Sequence, residues 1–220
     1  CRDALRHATQ TMLTELACVT DNPVVVGNEI ISGGNFHGEP LALVLDYLCL
    51  ALSEWANISE RRTYLLLSGP DELPTLLMKD TGLNSGFMIP QYTAAALVNE
   101  NKVLCTPASV DSIPSSLGQE DHVSMGATSA LKCRQVLENA ETVLAIEMMC
   151  AGQGLDYRLP TKPGIGPRTA LEALRTRISH AEADRAFGED IHTSLAMLRE
   201  QTVLKAIEGK IGPLHQRRGY

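Results

Sequence analysis

A chain of 220 residues, 44% of them hydrophobic and 20% charged, is long enough to bury a sizeable core and too apolar to remain disordered. Its net charge of -7, with no basic stripe, argues against a nucleic-acid partner, because phosphate binding needs clustered Lys and Arg. Aromatics make up only 4%, so the apolar content is mostly Leu, Ala, Val, Ile and Met, which favours an all-α class.

The chain opens inside a helix. Ala4, Leu5, Ala8, Met12, Leu13 and Leu16 keep near-helical spacing through residues 2–20. Cys1 stands where a methionine would, with the helix already running, as expected of a piece cut from within a larger protein. Pro23 must end this helix, and Asp21-Asn22-Pro23 is a turn signal. Val24–Val26 and Glu29–Ile31 flank Gly27-Asn28 and predict a small hairpin rather than part of a large sheet. Ser32-Gly33-Gly34-Asn35 follows, a loop able to take unusual backbone angles. Pro40 then suits the first turn of a helix. Leu41, Val44, Leu45, Leu48 and Leu52 make one face of it, while Leu43, Tyr47 and Leu50 fill the other. A helix apolar nearly all round is a central, buried one. It is expected to reach about Leu67, with Glu60-Arg61-Arg62 as a polar island.

Residues 68–90 are rich in Gly, Pro and Asn and predict a long ordered loop or several short ones, of a kind that often carries function. A helix over 91–104 has Ala94, Ala95, Leu97, Val98 and Val103 as its apolar positions. After an irregular stretch over 107–118, a long helix covers about 124–154, where Gly152 and Gly154 should end it. Pro160, Pro163, Gly164, Gly166 and Pro167 mark a linker. Two further helices, about 168–184 and 189–208, are more charged, more plainly amphipathic and therefore peripheral. The expected architecture is a bundle of long, mostly antiparallel buried helices, with the hairpin near 24–31 and two long loops. Residues 1–158 would be its central part and 159–220 its peripheral C-terminal helices.

Six cysteines, at positions 1, 18, 49, 105, 133 and 150, include no Cys-x-x-Cys pair and read as free thiols of a reducing compartment. No signal peptide is visible, and no apolar run reaches the length needed to span a bilayer. A soluble cytoplasmic protein is the expectation. Arg217-Arg218, the one basic cluster, reads as a solvated tail.

Two segments carry polar groups suited to chemistry. Gly33-Gly34-Asn35-Phe36-His37-Gly38-Glu39 could cradle a phosphate, but it lacks Gly-x-Gly-x-x-Gly and no Lys follows, so a tight hairpin-to-helix connection is the simpler reading. Ser115 to Met125 places Glu120, Asp121 and His122 ahead of a long helix. Acids there ordinarily cap free N–H groups, and the alternative is a buried carboxylate that grips a substrate or moves a proton. His37 with Glu39, or Glu120 with His122, could offer metal ligands, but neither pair has the spacing of a helical zinc site, and no metal is expected. Gly-x-Ser-x-Gly is absent.

Several segments go further. Thr20-Asp21-Asn22-Pro23, Ser32-Gly33-Gly34-Asn35-Phe36-His37, Ser59-Glu60-Arg61-Arg62, Asn84-Ser85-Gly86-Phe87-Met88-Ile89, Pro107-Ala108-Ser109-Val110-Asp111-Ser112 and Gln119-Glu120-Asp121-His122-Val123-Ser124-Met125 resemble the aromatic amino-acid lyase family, in that family's order. The resemblance covers roughly residues 2–158 and is weak over the last ~60. Glu120, where phenylalanine and tyrosine lyases commonly carry an amide, and His37 after Phe36 resemble the histidine ammonia-lyase branch.

The resemblance implies loss of ammonia from L-histidine to give trans-urocanate, by a homotetramer with shared sites. The electrophile would be methylidene-imidazolone, made autocatalytically from an internal Ala-Ser-Gly. It implies that Glu120 contacts the substrate imidazole or assists proton transfer, and that Phe36 lines the pocket. Gln119 and Asn35 would be supporting polar groups. Gly118 and Gly38 stand where that branch commonly has Asn and Ala, which leaves fine substrate preference open. No Ala-Ser-Gly occurs in this chain, so the resemblance places the electrophile upstream, and the chain alone is expected to be inactive. A lyase or aminomutase for another amino acid, or an inactive oligomerisation module, are the other readings.

Overall fold

The computed structural model describes residues 1–214, so Arg217-Arg218 and His215 lie outside the described residues. Those residues form an all-α fold with one hairpin. The helices are α1 (Arg2–Leu16), α2 (Glu39–Leu67), α3 (Met88–Leu104), α4 (Gly126–Tyr157), α5 (Ile165–Arg175), α6 (Phe187–Arg199) and α7 (Thr202–Ile211). The hairpin pairs β1 (Val24–Val26) with β2 (Glu29–Ile31), antiparallel, with Val25 opposite Ile30. Gly27 at φ 61° supplies the left-handed turn between them.

The chain divides into two compact units, each made of two segments. The first joins Cys1–Trp55 with Asn99–Ala140. Its core holds Cys49, Leu52, Cys133 and Val136, with Leu45, Leu48, Leu104 and Cys105 packed against them. The neighbouring Cys133 thiol, together with burial, pushes the Cys49 thiol well above the usual range. One carboxylate is also buried in this unit: Asp46, which accepts from the Ala108 and Ser109 N–H groups at 2.8 and 2.9 Å and so ties the loop after α3 to α2.

The second unit holds Ala56–Val98 and the chain from Glu141 onward. Leu77, Met78, Ile146, Leu174 and Met197 are fully buried in it. The Phe87 and Phe187 rings meet at 4.7 Å. Gln153 donates to the carbonyls of Leu77 and Ala181 and accepts the Ala181 N–H, stitching loop and linker to α4. Gly86 sits at φ 57°, held by the Asp184 carboxylate, which accepts its N–H and that of Ser85 at 2.8 Å each. A Cβ there would lie 2.6 Å from the Leu76 carbonyl oxygen and 2.7 Å from Met78 Cβ. Gly86→Ala is therefore expected to cost about 3 kcal/mol, combining left-handed strain with overpacking. Gly27→Ala, strained but facing open space, should cost about 1 kcal/mol. Urea denaturation of both compares them, and equal losses would mean that the close approach at Gly86 does not matter.

Local sequence signals misplaced several helix ends. α1 stops at Leu16 rather than near 20, and α3 begins at Met88, three residues before 91. Gly152 and Gly154 lie inside α4, not at its end. A Cβ on Gly152 would sit 2.4 Å from the Leu174 side chain, so this glycine admits a close neighbour instead of terminating the helix. The helix expected over 168–184 ends at Arg175, and the one over 189–208 is two helices broken at Gln201, φ 59°. α2 is also long and apolar enough, by length and composition alone, to cross a membrane, contrary to the expectation that no run is. Its buried Asp46, Ser59, Glu60 and Thr63 are hydrogen-bonded within the protein, as in a core helix. Among the described residues only one face of α2 is buried. Leu43, Tyr47, Leu50, Ile58 and Leu65 are exposed.

Candidate active site

The candidate site lies in the first unit, where two loops meet. The first begins at the turn before the hairpin. Asn22 Oδ1 accepts the Ser32 hydroxyl at 3.1 Å and the Gly33 N–H at 3.0 Å, so the Asp21-Asn22-Pro23 turn holds the glycine-rich loop. Gly38, at φ 71°, turns the chain into α2, whose first turn bonds back to the Gly38 carbonyl. The tight hairpin-to-helix connection is thus what this segment forms.

The second loop is closed on itself. The Ser115 N–H donates to Glu120 O at 2.9 Å, around a 3-10 turn over Ser116–Gly118. Gly118 has φ 87°, a conformation that Gly and Asn tolerate best. Ser112 Oγ accepts the Val123 N–H at 3.0 Å. The buried Ser124 joins the two loops: its hydroxyl donates to the His37 carbonyl and accepts the Gly126 N–H.

Across that junction, His37 Nε2 lies 2.8 Å from Glu120 Oε2, linking residues 83 apart in sequence, with both side chains partly buried. A carboxylate oxygen can only accept, so this contact is a hydrogen bond when His37 Nε2 bears a proton. Phe36 packs its ring on the His37 ring, centroids 4.3 Å apart, and stays 39% exposed. Phe36, His37 and Asn35 line an open cleft of about 390 Å³ together with Met12, Glu15 and Leu41. Apolar walls with a few polar groups suit a small amphipathic ligand.

The structure therefore brings three of the sequence-selected residues together and leaves one aside. Phe36 and Asn35 line the cleft, and Glu120 adjoins it through His37. Asn35 turns its amide to the Glu15 carboxylate at 3.0 and 3.2 Å. Gln119 is exposed and bonds through its backbone to Ser116. The candidate metal pairs are not the pairs that form: His37 meets Glu120 instead of Glu39, and His122 is exposed. Among the described residues no group of three or more His, Cys, Asp or Glu could hold a metal ion. Asp46 and Ser124, which anchor the second loop, escaped sequence reasoning. A lone carboxylate between Leu45 and Tyr47 in an apolar helix was the available signal for Asp46.

The likeness to known proteins covers 97% of this chain and so runs beyond the expected residue 158. A histidine ammonia-lyase of Natranaerobius thermophilus is 50% identical over 218 residues, 97% of this chain and 43% of that protein. A solved histidine ammonia-lyase from Trypanosoma cruzi superposes with a TM-score of 0.92 at 43% identity, over 98% of this chain and 43% of its own. A tyrosine aminomutase from Streptomyces globisporus follows at 0.89 and 36% identity, over 95% of this chain and 40% of its own. The chain thus spans less than half the length of the relatives it matches. The aromatic amino acid lyase model matches residues 1–176, and the chain belongs to that family.

Proposed function

We propose that this chain is the C-terminal part of a histidine ammonia-lyase that converts L-histidine to trans-urocanate and ammonia. The observation that carries the reading is a carboxylate, Glu120, set beside an aromatic cleft by a histidine, in a chain about half identical to proteins of that name. A carboxylate suits a substrate imidazole, whose N–H it can accept with charge assistance, and a phenyl ring has no such group.

The residues present fit the family's electrophile, since Phe36 offers an exposed aromatic face next to polar partners. When present, the methylidene-imidazolone, which would form from an Ala-Ser-Gly upstream of this chain, would supply electrophilic activation of the amine. Against it, Glu120 orients the substrate ring or assists removal of the β-proton, and Phe36 excludes water from one side. Asn35 gives polar support at the rim. In this reading the enzyme is a cytoplasmic homotetramer with residues 1–158 at its centre, and the uncovered apolar face of α2 supports burial against other chains.

Incubating the full-length protein with L-histidine and following urocanate absorbance tests the assignment. A rise supports it. No rise with the upstream part and its electrophile present sinks the histidine assignment. The second reading, a lyase or aminomutase for another amino acid, draws on the tyrosine aminomutase likeness, and turnover of another amino acid in the same assay would favour it.

A further inference from the structure

The hydrogen bond between His37 and Glu120 divides the carboxylate. Oε2 accepts His37 Nε2 at 2.8 Å, and Oε1 has no protein donor among the described residues. His37 cannot swing freely. Its backbone carbonyl is bound by the buried Ser124 hydroxyl, its ring packs against Phe36, and Gly38 behind it turns the chain into α2. Glu120 sits on a self-closed loop whose 3-10 turn is solvent-exposed, with Leu117 uncovered, and has no other side-chain anchor in this unit among the described residues.

We propose that His37 is a positioning residue, which holds one oxygen of Glu120 and thereby presents the other to the imidazole N–H of the substrate. This rests on the reading of Glu120 as the group that meets the substrate. His37 is the fixed member of the pair and Glu120 the one that needs fixing. Without the bond, Glu120 would retain its charge but sample several rotamers, and the ordering cost would fall on substrate binding and the transition state.

A double-mutant cycle in the full-length enzyme tests it. His37→Ala should lower kcat/KM for L-histidine by about 10- to 100-fold, the usual value of a hydrogen bond to a charged group. His37→Gln, which can still donate an N–H, should recover much of that loss. In a Glu120→Ala background the same His37 changes should have little further effect, because there is no carboxylate left to position. Equal losses in both backgrounds would assign His37 a merely structural role and overturn the proposal, as would no loss at all. A second readout does not depend on substrate. With histidines labelled by nitrogen-15, the His37 resonance, identified by its loss in His37→Gln, should report the Nε2–H tautomer and lose that preference in Glu120→Ala. A tautomer indifferent to Glu120 overturns the pairing. Should the wild-type enzyme ignore L-histidine while the tautomer follows Glu120, the functional reading fails and the positioning of Glu120 by His37 stands.

Discussion

Glu120→Gln should cost the full-length enzyme at least about a hundredfold in turnover of L-histidine, the lower range for losing a positioned acid or base. The amide keeps the size of the side chain and can still accept the His37 Nε2–H, so the loop over 115–124 should survive the change. What disappears is the negative charge. An amide oxygen accepts an imidazole N–H more weakly than a carboxylate does, and it takes no proton. The fall should therefore appear in kcat/KM for histidine, while substrates with uncharged rings lose less and relative preference moves toward them. Unchanged histidine turnover would remove Glu120 from the site and with it the link between this cleft and an imidazole substrate.

The second large effect is on stability. Asp46 is 5% exposed and accepts four hydrogen bonds: from the Ala108 and Ser109 N–H groups, from the Ser129 hydroxyl at 3.1 Å and from Lys132 Nζ at 3.1 Å. Lys132 also donates to the Thr106 carbonyl, and its side chain is 16% exposed. Asp46→Ala strands a largely buried ammonium, a hydroxyl and two backbone donors, at an expected cost of about 3–5 kcal/mol in urea denaturation. Burial by itself would raise the Asp46 carboxyl, but the hydrogen bonds from Ser109, Lys132 and Ser129 outweigh it and leave the group below the usual carboxylate range. A carboxyl lowered in the folded state stabilises fully above its unfolded pKa, about 3.9. That contribution is lost as pH falls through the folded value. The stability gap between wild type and Asp46→Ala should thus be widest near neutral pH and narrow below about pH 4. A gap that does not change with acid would mean that Asp46 is not the ionised anchor described here. Since this residue ties down the start of the second loop, its loss should also disturb Glu120 at the far end.

Much of this was legible in the residues themselves. The runs Val24–Val26 and Glu29–Ile31, rich in β-branched residues, specify the hairpin around Gly27-Asn28, and the leucine pattern after Pro40 specifies α2 almost to the residue. These are local choices, decided by turn chemistry and by a periodicity that each segment carries alone. The segments around Asn35 and Glu120 likewise marked the two loops that meet at the site, the first of which lines the cleft. Tertiary contact decided the rest. Gly152 reads locally as a helix stop, yet Leu174 packs there and α4 runs on. Which partner His37 takes, Glu39 two residues away or Glu120 eighty-three away, depends on Ser124 drawing two distant loops together. Asp46 looks like a blemish in an apolar helix until the folded chain brings Ala108, Ser109, Ser129 and Lys132 around it. A side chain's own chemistry limits what it can bond, but only packing determines which of the candidate partners comes within reach, and here that selection made the site.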